Sequence, residues 1–199
     1  MSYVIVGLGN PGEEYAGTRH NAGRIMLEFF RKKHDFSEWE KNGSLDALVS
    51  TGKVGGKAAA KLVEPETFMN KSGASVKPLV KSEKAAEKVI VIYDDLDLPL
   101  GRFKISFNRS SGGHRGLESI IKNLKTEAFL RIRVGISPST PMGKLKKPSG
   151  DKAVEDFILG QFKKPELDDL KKLSKAVNEA IETLVLEGRE AAMNSFNQQ

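Results

Sequence analysis

The chain has 199 residues, 39% of them hydrophobic and 29% charged, enough for one sizeable core and short for two domains. Its formal charge of +6 points to an acidic partner, of which nucleic acid is the commonest, and says nothing about fold. The lack of cysteine excludes disulfides, thiol nucleophiles and Cys-ligated metals, and no leader or bilayer-length apolar run is visible, so a soluble cytoplasmic protein with no membrane role is expected.

Taken in order, Tyr3 to Val6 is a short β-branched run that reads as a buried strand ended by Gly7 and Gly9. Ala22, Ile25, Met26, Phe29 and Phe30 share one face at helical spacing, which predicts an amphipathic helix over Asn21 to Lys33. Leu45 to Lys53 and Lys57 to Val63 read as a hairpin turning at Gly55 and Gly56. A loop from Glu64 to Asn70 then leads to a helix at Ser72 to Lys81. Val89 to Tyr93 is the clearest buried strand, and it empties into Asp94, Asp95, Leu96 and Asp97. Gly101 to Phe107 is a further strand, followed by a polar loop from Asn108 to Gly116, a helix from Leu117 to Leu124 and a strand from Leu130 to Ile136. Ser137 to Asp151 is a Pro-, Gly- and Lys-rich exposed loop, and the remainder is helical, with a stripe from Leu167 to Leu184. Strands alternating with helices, without an internal repeat or linker, predict one α/β domain over residues 1–199, a mixed twisted β-sheet flanked by α-helices.

Polar residues cluster where strands and loops end: Asn10 to Asn21, Asp94 to Asp97, Gly112 to Arg115, and Asn70. His20 is either a structural histidine or a general base. A base must be fixed in one tautomer, and a carboxylate on its other ring nitrogen does that; Asp94 is the best placed. Asn10 either takes a left-handed turn conformation or orients a water or a substrate carbonyl. Asn70 is a helix cap or a second amide in the same cleft, and Phe68 and Met69 read as core or cleft wall. Gly112-Gly113-His114 suits a close backbone approach to a ligand or a plain tight turn. His34 reads as a surface residue, and a zinc site would have to combine His20 and His114 with carboxylates. Gly7-Leu8-Gly9-Asn10-Pro11-Gly12 matches the dinucleotide fingerprint, but Glu13 and Glu14 follow at once and the helical period starts only near Asn21, which argues against a phosphate at that turn.

Four blocks taken together resemble the bacterial-type peptidyl-tRNA hydrolases. They are Gly7 to Gly12 with Tyr15 and Thr18-Arg19-His20-Asn21; Pro65 to Gly73; Tyr93 to Pro99; and Gly112 to Leu117 followed by Arg131 to Gly135. The resemblance implies hydrolysis of the ester between a peptide and the 3′ ribose of tRNA, without metal or cofactor; a monomer is expected. It implies that His20 is the base, that Asp94 orients it, and that Asn10 and Asn70 bind water and peptide. Tyr15, Met69 and His114 match residues that line the cleft, and Phe68 stands with them. Arg115 departs from the asparagine usual in the family. The lysine of the family's clamp for the tRNA 5′ phosphate is replaced by Ser106, while Arg133 matches its arginine; Lys104 lies on the same strand face as Ser106 and is the expected substitute. The alternative reading is a non-catalytic RNA-binding relative, for which Arg115 is the one argument.

Overall fold

Apolar β-branched segments supply the strands of one mixed sheet. The computed structural model describes residues 2–198. Its strands are β1 (Tyr3–Gly7), β2 (Glu40–Asn42), β3 (Ala47–Val54), β4 (Ala58–Pro65), β5 (Val89–Pro99), β6 (Phe103–Phe107) and β7 (Leu130–Ser137), ordered β2-β3-β4-β1-β5-β7-β6. β1 pairs in parallel with β4 and β5, and β5 with β7, while β2, β3 and β6 run antiparallel to their neighbours.

Helices α1 (Ala22–Lys33), α2 (Ser72–Val76), α3 (Glu83–Ala86), α4 (Arg115–Leu124), α5 (Asp151–Leu159), α6 (Lys164–Leu186) and α7 (Arg189–Phe196) accompany the sheet. Strand alternation sends Ile5, Ile90, Ile92 and Ile132 to one face, where Met26 and Phe30 of α1 and Val177 and Ile181 of α6 close over them. Val4, Val6, Val91 and Tyr93 go to the other, under Leu117 and Ile120 of α4 and Val76 of α2. With both faces covered, the central strands read as continuous apolar runs. The chain leaves β1 for β4 on one side and reaches β5 on the other, so a crevice opens at the carboxyl ends of β1 and β5.

Four sequence expectations need correction, and one strand was not expected at all. β5 does not empty into a turn at Asp94 but continues to Pro99. The pairing reaches Asp95↔Gly135, shifts register, and resumes at Pro99↔Ser137. The helix expected over Ser72 to Lys81 is cut short: α2 ends at Val76 and a 3₁₀ turn (Lys77–Leu79) carries Pro78, whose missing N–H and ring end the helical ladder. α4 begins at Arg115 rather than Leu117, so Arg115 is its first helical residue. The charged three-residue β2 had no apolar pattern to reveal it. His34 is not a surface residue: its side chain is buried, 4.3 Å from the Phe30 ring and 3.4 Å from Glu182 of α6.

One buried carboxylate makes stability depend on pH. Glu64, on β4, is 7% exposed, and burial pushes its carboxyl up to about 7, although Arg24 lies 3.8 Å away. Between the ordinary value near 4.5 and about 7 the native state holds a proton that the unfolded chain has released, so stability falls as pH rises through that window and is constant above it. The loss is of order 3 kcal/mol. Glu64→Gln is therefore expected to melt above wild type at pH 8, with the two proteins converging below pH 4.5, in thermal scans followed by circular dichroism. Equal melting curves at pH 8 would show that Glu64 costs nothing when ionised.

Candidate active site

The approach of α1 to the sheet places the first histidine. Leu8 N–H donates to the Ile92 carbonyl (3.0 Å) and Arg24 N–H to the Leu8 carbonyl (3.2 Å), so the first turn of α1 crosses the ends of β1 and β5. A Cβ on Gly23 would lie 2.3 Å from the Ile92 oxygen and 2.6 Å from the Leu8 nitrogen, so this crossing needs glycine. His20 sits just before it, in a 3₁₀ turn (Arg19–Asn21). The turn is clamped by the α5–α6 junction. Arg19 N–H donates to the Gly160 carbonyl (3.1 Å), and Phe162 N–H to the Gly17 carbonyl (2.8 Å). Nη2 of the buried Arg19 guanidinium donates to both Glu166 carboxylate oxygens, at 3.0 and 3.1 Å, and the guanidinium lies over the Phe157 ring. Sequence reasoning assigned Arg19 nothing; only the distant Glu166 explains it.

The two histidines reach one carboxylate from opposite faces of the sheet. Asp94, buried in β5, has its Oδ1 2.9 Å from His20 Nδ1 and 3.0 Å from His114 Nε2. His114 is the N-cap of α4, on the face opposite α1. Burial alone would raise the Asp94 pKa, but the two imidazoles outweigh it and hold the carboxyl well below the usual range. An ionised carboxylate only accepts, so both ring nitrogens facing it are donors. The second nitrogens then distinguish the rings. His114 Nδ1 accepts the Leu117 N–H (3.3 Å), so both of its nitrogens are engaged. His20 Nε2 has no protein partner among the described residues and is not sealed from the cleft. A neutral His20 therefore presents a free lone pair there. The rings stand 5.1 Å apart, and Tyr93 meets His114 edge-on at 4.9 Å.

Asn10 is buried and does not take the left-handed conformation; Gly12, at φ 106°, does. Asn10 is held on three sides. Its N–H donates to Asn21 Oδ1 (2.9 Å), its carbonyl accepts from Asn21 Nδ2 (2.9 Å), and its Oδ1 accepts the Met69 N–H (2.9 Å). Among the described residues that leaves Asn10 Nδ2 without a partner. Asn21, the buried brace of this arrangement, was not singled out from sequence, although its amide sits beside His20. Met69 is buried; a Cβ on Gly116 would lie 2.5 Å from its sulfur, so Gly116 lets α4 close on the cleft wall. Phe68 is 59% exposed and meets the half-buried Tyr15 edge-on at 6.4 Å, an aromatic rim beside the site.

Asn70 is exposed and shares a concavity with Arg115 rather than touching the histidines. Arg133 and Lys104 are register partners across β7 and β6, while Ser106 faces the buried Arg131. Directly opposed side chains stand about 5 Å apart, so Lys104, not Ser106, can act with Arg133. The Arg133 Nε is taken by Asp95 Oδ2 (2.7 Å), which orients the guanidinium. Asp97, by contrast, is exposed and pairs with Lys147.

His20, Asp94 and His114 are also a possible metal-ligand group, with ligand atoms within 4.8 Å of one another. Ligands about 2.0–2.1 Å from a tetrahedral ion stand roughly 3.3 Å apart. The observed 2.9 and 3.0 Å contacts are shorter and suit charge-assisted hydrogen bonds. No helix among the described residues is long and apolar enough to cross a membrane.

The chain is similar to known proteins over nearly its whole length. The family model described as Peptidyl-tRNA hydrolase matches residues 4–199. A peptidyl-tRNA hydrolase of Alkaliphilus oremlandii is 39% identical over 98% of this chain and 99% of its own length. One from Thermotoga petrophila is 41% identical over 98% and 96%. The crystal structure of peptidyl-tRNA hydrolase from Acinetobacter baumannii superposes with a TM-score of 0.85 at 30% identity, covering 98% of this chain and 94% of that one.

Proposed function

The chain belongs to the peptidyl-tRNA hydrolase family, and from that premise we propose that His20 is the general base of its reaction. The enzyme hydrolyses the ester joining a peptide to tRNA, releasing both. In our reading, neutral His20 takes a proton at Nε2 from a water as that water attacks the ester carbonyl carbon. The carbonyl becomes an oxyanion, to which Asn10 Nδ2 donates; one such donor is typically worth roughly 3–4 kcal/mol. Collapse breaks the bond to the 3′ oxygen of the ribose, which takes the proton back from Nε2. Asp94 stabilises the imidazolium that exists between the two transfers. The supporting observation is the single hydrogen bond on His20, Nδ1 to Asp94 Oδ1 at 2.9 Å, with Nε2 left open.

Tyr15, Phe68, Met69 and Asn70 then hold the peptide, and His114 fixes Asp94 from its other side. The reading uses no metal and no cofactor, and puts the enzyme in the cytoplasm where translation supplies its substrate. Incubation with N-acetyl-aminoacyl-tRNA should yield free tRNA; a protein that binds this substrate without cleaving it would be the RNA-binding relative instead.

Lys104 and Arg133 are our candidates for a tRNA phosphate contact. Each phosphate contact steepens the salt dependence of affinity. Lys104→Ala and Arg133→Ala are each expected to weaken substrate binding and to flatten the slope of log affinity against log salt by about 1. An unchanged slope in both variants would remove the clamp from this pair.

A further inference from the structure

A concavity of about 520 Å³ lies along α4, its walls including Asn70, Lys71, Arg115, Glu118, Lys122 and Asn123, and Arg115 directly follows His114. Its charge is lopsided. Arg115, Glu118 and Lys122 follow one another at helical spacing along one face of α4, and Lys71 faces them from the 3₁₀ turn (Met69–Lys71). Three cations thus surround one carboxylate, and that carboxylate is engaged by the Ser111 hydroxyl (3.3 Å). Arg115, Lys71 and Lys122 are exposed, and no hydrogen bond or ion pair holds their side chains among the described residues. Arg115 also stands in the first turn of α4, where the helix dipole disfavours a cation. A local rule broken without compensation inside the protein is expected at a functional site.

We propose that this concavity receives the peptide part of the substrate and selects for an acidic side chain close behind the esterified residue. The inference rests on the reading of the chain as a peptidyl-tRNA hydrolase with the ester at His20. Arg115 directly follows His114, whose ring is 5.1 Å from that of His20, so the first peptide residues behind the ester come within its reach. An extended peptide advances about 3.3 Å per residue and turns alternate side chains to opposite sides. The guanidinium fork suits a carboxylate, and Lys71 and Lys122 extend the favourable potential along the peptide. Asn70 and Asn123 supply neutral partners for the peptide backbone.

The test uses one tRNA and one esterified residue, with N-acetyl-Glu, N-acetyl-Gln or N-acetyl-Lys as the preceding residue. Wild type is expected to show kcat/KM in the order Glu, Gln, Lys, with about three- to fivefold between Glu and Gln at low salt, the size of an exposed charge pair. Arg115→Asn should bring the three rates together, and Lys71→Ala should narrow their spread. Equal rates for the three substrates in wild type would overturn the inference while leaving the hydrolase reading intact. An equal loss on all three in Arg115→Asn, with a flatter salt slope, would overturn it in favour of a tRNA phosphate contact. Failure to cleave any of the three would overturn the hydrolase reading and this inference with it.

Discussion

His20→Ala is expected to lower kcat on N-acetyl-aminoacyl-tRNA by about 10²–10⁴-fold, the usual contribution of a positioned general base. KM should change little, because among the described residues the side chain makes one hydrogen bond, to Asp94, and in the proposed mechanism it works on the water rather than holding the tRNA. A general base must be unprotonated to act, so any acid limb of the wild-type pH–rate profile should be missing from the residual rate of the variant. Asp94 cannot supply the limb, since its carboxyl is held well below the usual carboxylate range. His114→Ala separates the two histidines. His114 already uses both nitrogens, one on Asp94 and one on the Leu117 N–H, so its loss removes a brace and leaves the base in place. Its effect on kcat should be the smaller of the two, and the acid limb should survive. A His114 variant as slow as His20→Ala and without the limb would reverse the assignment.

How far the sequence reached depended on whether a residue's partner was local. Ile5, Ile90 and Ile132 announce buried parallel strands by composition alone, and the polar residues beside them mark the crevice. Periodicity is blind to what a second chain segment imposes. The acidic run Asp94-Asp95-Leu96-Asp97 has the composition of a turn, yet pairing with β7 keeps Asp94 within the strand. Gly135 lets β5 pass closely, since a Cβ there would lie 2.1 Å from the Pro99 oxygen. His34 looked solitary because Glu182 lies far along the chain. Arg19 and Asn21 stood next to His20 in plain view, but their partners, Glu166 and the Asn10 backbone, exist only in the fold. That Lys104 and Ser106 share a strand face was legible because it follows from alternation, whereas the opposition of Lys104 to Arg133 is set by the β6–β7 register, which exists only in the fold.

Asp94→Asn tests the other half of the dyad. Both imidazoles donate to one oxygen of Asp94, so an amide that kept its oxygen in that place would preserve the geometry while removing the charge. The tautomer of His20 would then be weakly enforced, and the imidazolium formed during catalysis would lose its counter-ion in a buried site. The expected loss in kcat is about 10⁴-fold, as for the same exchange in a comparable triad. Stability carries an independent signature. Because the folded pKa of Asp94 is depressed, its ionised form stabilises the native state above the ordinary carboxylate value near 3.8, and that contribution is lost as pH falls through the lower folded value. Wild type should therefore melt above Asp94→Asn at neutral pH, with the gap narrowing below about pH 4. In the proposed mechanism Asp94 acts through His20, so the double variant should be scarcely slower than the slower single one, as groups working as a unit are strongly non-additive. If the two losses multiplied instead, Asp94 would be serving the reaction by a route that bypasses the imidazole.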